Sequence, residues 1–190
     1  MPKKSFVSSL REFPLDRAFT WFESGPVLLI GTACEGKANI MTVSCHMSMG
    51  FTPLLGCMLG PWNHSYEILR KTRRCVVSVP GADLMEIAVD VGNCSGASVD
   101  KFSRFGLTYR LGEESGAPLI EECLANLECV VRKIPPRGGP YQFVLEGVRA
   151  WHNPDREEKR SFHARGDGFF IIDGETLNLR DRMVKWQDCI

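Results

Sequence analysis

The sequence predicts a mainly β protein, an antiparallel barrel with a few short helices inserted between its strands. Three observations carry this expectation. Apolar runs recur at 26–34, 54–59 and 75–79, each ended by glycine or proline turn chemistry. Two longer runs, 124–134 and 141–151, flank Pro135-Pro136-Arg137-Gly138-Gly139-Pro140, which has the composition of a hairpin loop. Strands and helices do not alternate regularly, so a doubly wound parallel sheet does not fit.

Residues 1–20 are polar and carry Pro14; they read as an arm or a short helix leading into Trp21-Phe22. Strand 26–34 turns at Glu35-Gly36, and 38–45 follows as its hairpin partner. On that second strand Thr42 and Ser44 face one way, and Met41, Val43 and Cys45 the other. With the Asn39 amide, the hydroxyls lie beside main-chain groups that a flat polar ligand can use. An ordinary strand with one hydrated face has the same pattern. Residues 49–53 break the pattern before strand 54–59, which Gly60-Pro61 stops. Tyr66, Leu69 and Arg70 recur at helical spacing over 63–72, where Asn63 or Ser65 can cap the start.

Strand 75–79 ends at Pro80-Gly81. Helix 83–91 sets Leu84, Ile87, Ala88 and Val91 on one side; helix 100–105 has Ser98 as its expected cap and Gly106 as its stop. After Trp151, residues 155–162 are charged with helical character, 169–172 is a short strand, Asp173-Gly174 is a turn, and 180–190 shows no pattern. The total is six or seven strands. Neither a repeat nor a linker divides the chain, so 1–190 is expected to be one domain. Residues 1–23 are then an N-terminal arm, and 151–190 a C-terminal extension packing on the barrel or on a dimer partner.

Composition narrows the function classes. Formal net charge is zero, with 23 basic and 23 acidic residues and no basic stripe, so nucleic acid and acidic membranes are not expected partners. The longest apolar runs are far too short to span a bilayer, and Met1-Pro2-Lys3-Lys4 leads into no hydrophobic segment; the expected location is cytoplasmic. Eight cysteines include no C-x-x-C pair, and the closest two, Cys123 and Cys129, are six apart, so no metal site is expected. Most lie in strand patterns, where a reduced thiol behaves as a small buried hydrophobe. Signatures for dinucleotide, P-loop, zinc-protease and serine-hydrolase sites are absent. Cys45-His46 is no thiol–imidazole dyad unless a bulge intervenes, because strand neighbours face apart.

Three blocks together say more than any one: Asn39-Ile40-Met41-Thr42-Val43-Ser44; Pro61 through Leu69, containing Ser65-Tyr66-Glu67; and Gly92-Asn93-Cys94-Ser95-Gly96-Ala97-Ser98-Val99-Asp100-Lys101-Phe102. In this order and spacing the chain resembles the flavin reductase-like, FMN-binding split-barrel family, of which flavoredoxin is a member. Residues 118–129 are similar to a further stretch of that family, and the resemblance covers roughly residues 24–150. It implies a Greek-key split β-barrel and an FMN-binding homodimer with flavin at or near the subunit interface. It also implies hydride transfer from NADH or NADPH to the flavin, or alternatively a flavoredoxin-type carrier that exchanges electrons with a redox protein partner.

The resemblance assigns Asn39, Met41, Thr42, Val43, Ser44 and Cys45 to the ring-binding strand. It assigns Trp62, Asn63, His64 and Ser65 to the phosphate-side turn, and Ser95, Gly96 and Lys101 to the third block. No side chain is expected to act as a covalent catalyst, because the isoalloxazine carries the redox chemistry. Each residue also has a plainer reading: Asn39 can close the hairpin, Asn63 and Ser65 can serve only as caps, His64 and Lys101 can be solvated, and Ser95-Gly96 can be a simple loop. At Cys45 the family often carries a tryptophan near the flavin; here that stacking surface is missing, and whether Trp62 replaces it stays open.

Overall fold

The computed structural model describes residues 7–185. Its main element is an eight-stranded antiparallel sheet formed from β1 (Arg11–Phe13), β2 (Leu28–Cys34), β3 (Lys37–Val43), β4 (His46–Ser48), β5 (Leu54–Met58), β6 (Arg74–Val79), β9 (Ala125–Lys133) and β10 (Gln142–His152). The strand order is β3-β2-β6-β9-β10-β5-β4, with β1 also on β10. β10 runs long enough to serve β9 along one edge while β5 and β1 share the other. Register shifts beside Val144 and Gly147 interrupt the β9–β10 ladder; bulges of this kind raise local twist and help a sheet curl. The ends of the curled sheet, β3 and β4, do not pair with each other. This is the split barrel.

The remaining elements decorate that sheet. Helices α1 (His64–Thr72), α2 (Met85–Gly92) and α3 (Lys101–Phe105) join strands, while β7 (Tyr109–Leu111) with β8 (Pro118–Ile120) and β11 (Phe162–Ala164) with β12 (Phe170–Ile172) form two small hairpin sheets. Both faces of β2 are covered: Leu28 and Ile30 join the barrel core with Leu55, Phe143 and α1's Leu69, whereas Leu29 packs with Ile40, α2's Val91 and Phe102. That explains why β2 reads as an unbroken apolar run rather than an alternating one. Cys57, Cys75 and Cys129 sit fully buried in the barrel core. Burial pushes the Cys57 and Cys129 thiols upward, so these are packing groups.

Several local expectations change. The N-terminal arm contains a strand, β1, followed by a 3-10 helix over Leu15–Trp21; Phe13 packs edge-on against Trp21. Residues 155–162 form no helix: Arg160's carbonyl accepts from Ala82 N, and Ser161 binds the Asp173 carboxylate through both its N–H and its hydroxyl. The pull of these tertiary partners outweighs a charged segment's weak helical preference. Asp100, not Ser98, caps α3, accepting from Ser103 N at 3.2 Å; Ser98 turns back to the Ser95 carbonyl. Short strands such as β4, β7, β8 and β11 raise the total among the described residues to twelve. Cys189 and the first four residues lie outside the described residues. No helix described is long and apolar enough to cross a membrane, and no described cluster of His, Cys, Asp and Glu is placed to hold a metal.

Candidate functional site

A cleft of about 220 Å³ opens where the start of α1, the end of α2 and the terminal strand β3 meet. Its floor is Asn39, Met41 and Thr42 of β3; Trp62 through Ser65 form one wall, and Val91 through Gly96 with Lys101 the other. The α1 wall follows from the turn before it. Asn63 is extended, and its side-chain carbonyl accepts from Gly60 N at 3.0 Å instead of capping the helix. Among the described residues no side chain therefore caps α1, and the positive end of its dipole and the first-turn N–H groups of His64 and Ser65 border the cleft.

Asn39 joins the floor to that wall. Its Nδ2 donates to Ser65 Oγ at 2.8 Å, while its Oδ1 is buried against Gly96 with no hydrogen-bond partner among the described residues. A buried amide carbonyl left unpaired is unfavourable by about 1–3 kcal/mol, and Asn39 is only 7 % exposed. The loop can come this close only because residue 96 has no side chain: a Cβ there would stand 1.9 Å from Asn39 Oδ1 and 3.0 Å from His64 Cδ2.

Lys101 holds the opposite corner. It is 4 % exposed, and its Nζ donates to the Ile40 carbonyl at 2.9 Å and the Val91 carbonyl at 2.8 Å. The bond to Val91 places a cation at the negative end of α2. Burial lowers the ammonium's pKa from the usual lysine range. Two of its three N–H groups are engaged, which leaves one donor at the cleft wall.

The bond to Ile40 also reveals the geometry of β3. Among the described residues this strand pairs only with β2 in the sheet, which leaves its second edge without a strand partner there. The Ile40 carbonyl points away from β2, and antiparallel alternation puts the N–H and C=O of Thr42 on that same open edge. Thr42's hydroxyl is already engaged, donating to the Ala88 carbonyl of α2. What β3 offers a ligand is main chain.

Residues 23–171 match the model of the flavin reductase like domain. The chain belongs to the flavin reductase-like family. It is 28 % identical to an NADH-dependent FAD reductase of Streptomyces globisporus over 158 residues, covering 82 % of this chain and 85 % of that one. Among solved structures, an FMN-binding domain of a flavin reductase-like enzyme from Shewanella baltica superposes with a TM-score of 0.80 at 22 % identity, over 91 % and 99 % of the two chains. A flavoredoxin from Methanosarcina acetivorans does so at 0.71 and 25 %, over 85 % and 91 %.

Ten of the thirteen residues picked out by resemblance to this family line the cleft; Val43, Ser44 and Cys45 do not. Val43 is buried in the barrel core. Ser44 and Cys45 follow the end of β3 and are exposed, and Cys45 borders a separate groove with Met47, Met58 and Tyr141. The ribbon's polar face is thus shorter than the strand pattern suggests, because β3 ends two residues early. Trp62 stands on the rim, 68 % exposed, with its ring edge-on to Tyr141 at 5.1 Å. Gly92, Asn93 and Cys94 open the third sequence block without being assigned there to the flavin, and of the lining residues only Val91 lies outside the blocks. Val91 carries only the signal of a core residue, and nothing in an apolar helical stripe marks its end as a cleft wall.

Proposed function

We propose that the chain binds FMN in this cleft and works as an NAD(P)H-dependent flavin oxidoreductase. The observation that carries this reading is the Asn39–Ser65–Gly96 contact beside an uncapped helix start, in a chain of the flavin reductase-like family. An anionic phosphate is favoured at the first-turn N–H groups of α1, where His64 and Ser65 lie. The ring's polar pyrimidine edge is matched by the open edge of β3 at Thr42, and Asn39 and the third N–H of Lys101 are further polar groups at hand. Bound there, the flavin would supply the hydride-accepting redox chemistry. The chain's residues bind and orient it, and the buried Lys101 keeps a positive charge beside it. The 28 % identity to an NADH-dependent FAD reductase supports the nicotinamide donor; the likeness to a flavoredoxin supports the second reading, an electron carrier for a redox protein partner.

At about 220 Å³ the cleft is smaller than the ~300–1,000 Å³ of typical ligand pockets. The ring therefore extends past the rim at Trp62, where a second copy of the chain covers it. The exposed Met47, Met58 and Phe51 near the β4 end of the sheet supply an apolar face for that homodimer. One cytoplasmic domain is the unit that dimerises, with the segment after Trp151 on the barrel or on the partner. Purified protein is expected to bind FMN, to oxidise NADH or NADPH with it, and to run as a dimer on size exclusion with light scattering. Lack of flavin binding would refute the proposal. Flavin bound tightly but reduced by neither nucleotide would favour the carrier.

A further inference from the structure

Among the described residues Cys57, Cys75, Cys123 and Cys129 are buried, while Cys34, Cys45 and Cys94 reach the surface. Of these three, Cys94 lines the flavin cleft. Resting on the flavin reading above, we propose that Cys94 is a modification site: hydrogen peroxide oxidises its thiol to a sulfenic acid, and the added hydroxyl takes up polar groups that would otherwise hold FMN.

Its surroundings set this thiol apart. Cys94 is half-buried two residues past the end of α2, with its Sγ 3.9 Å from the Val91 carbonyl. The same carbonyl accepts from Lys101 Nζ at 2.8 Å, so sulfur and ammonium share one acceptor. Their charges are linked: burial lowers the Lys101 pKa, and an anionic Cys94 opposes that by favouring the ammonium. A cation beside a partly exposed thiol is the setting in which cysteines react with peroxide. In the same cleft Asn39, 7 % exposed, keeps its Oδ1 without a hydrogen-bond partner among the described residues. An S–OH group both accepts and donates: Lys101 has a third N–H to give it, and Asn39 has an oxygen to receive from it. Cys45 borders an apolar groove instead. Lys71, the ammonium that interacts with Cys34, is exposed and engaged by Glu35 at 2.8 Å.

The step balances. The sulfur attacks one peroxide oxygen, an S–O bond forms as the O–O bond breaks, and the departing hydroxide takes the thiol proton and leaves as water. Sulfur gives up two electrons and peroxide gains them. Dioxygen reacting with reduced flavin yields peroxide, so the oxidant arises at the cleft whenever electrons miss their acceptor.

Protein is treated with hydrogen peroxide and divided. One portion is trapped with dimedone and mapped by peptide mass spectrometry; in the other, FMN affinity is read by flavin fluorescence before treatment, after it, and after dithiothreitol. Cys94 is expected to be labelled ahead of Cys34 and Cys45, and FMN present during treatment to protect it. Affinity for FMN falls about tenfold or more, as when one charge-assisted contact is lost, and dithiothreitol restores it. The fall is absent in Cys94→Ser and kept in Cys34→Ser and Cys45→Ser, each compared with its own untreated protein. Labelling of Cys34 or Cys45 with Cys94 left reduced overturns the proposal. So does an equal fall in Cys94→Ser, or a labelled Cys94 with FMN affinity unchanged. Untreated protein that binds no FMN refutes the flavin reading and the effect on FMN together, whereas labelling of Cys94 ahead of the other thiols then still upholds the modification site.

Discussion

Replacing Gly96 by alanine puts the Asn39–Ser65–Gly96 contact to a direct test. The new methyl would lie 1.9 Å from Asn39 Oδ1 and 2.5 Å from its Cγ, far inside contact distance. Backbone strain does not enter, since Gly96 is not among the glycines with positive φ. Asn39 must swing away and break its 2.8 Å bond to Ser65, a loss of about 1 kcal/mol. Overpacking against Asn39 and the His64 ring adds roughly 1–3 kcal/mol. The expected destabilisation is about 2–4 kcal/mol, which for a domain of this size lowers Tm by roughly 5–15 °C. Gly92→Ala is the matched control on the same cleft. Its Cβ would meet Thr42 at 3.6 Å, an ordinary contact, and at the end of α2 alanine is neutral or better than glycine by up to about 1 kcal/mol. Urea unfolding and FMN titration of both variants decide the matter. Gly96→Ala is expected to lose stability and flavin together, and Gly92→Ala to keep its stability. A Gly96→Ala protein as stable and as avid for flavin as the parent would refute the close contact at the heart of the site.

Lys101→Met removes the donor shared by the Ile40 and Val91 carbonyls. It is expected to destabilise by about 2–4 kcal/mol in denaturant unfolding, because two buried acceptors lose their partner, and to weaken FMN in fluorescence titration. Glu128 is fully buried, accepting from the N–H groups of Glu114 and Ser115, the Ser115 hydroxyl and Trp151 Nε1. Glu128→Gln should therefore lose about 1–3 kcal/mol of stability while leaving flavin affinity, measured far from it in the fold, unchanged. His46 carries a pH prediction. Burial, joined by the nearby His163 and opposed by the bond to the Pro26 carbonyl, holds its pKa below the usual value of 6.5. The unfolded chain then binds a proton at a higher pH than the folded one does, so stability falls as pH drops below about 6.5. Melting curves between pH 7.5 and 5 should show this slope, reduced in His46→Gln.

The strands of the barrel were readable because their burial is written into local pattern. β2, β6, β9 and β10 are apolar runs bounded by turn residues, and the sheet hydrogen-bonds them in the expected antiparallel sense. Strands of three residues are too short to show a period, and β4, β7 and β11 escaped for that reason. The 155–162 segment went the other way: its charges resemble a helix surface, but Asp173 and Ala82 hold it extended. At the site, residue types announced polar chemistry without announcing which groups would remain available. Thr42 and Lys101 each direct their polar atoms at the protein's own carbonyls, and Asn39 leaves one atom unpaired.

The sequence by itself determined the class of fold, the blocks that mark the flavin reductase-like family, and most of the residues around the cleft, because these follow from period, turn chemistry and motif spacing along the chain. The tertiary structure alone decided that β3 ends the sheet with one edge open, that α1 starts uncapped beside it, and that Gly96 brings loop and strand within contact. Those three facts depend on elements distant in sequence meeting at one corner of the curled sheet. No local pattern encodes that meeting, since it is set by how the whole sheet curls and packs.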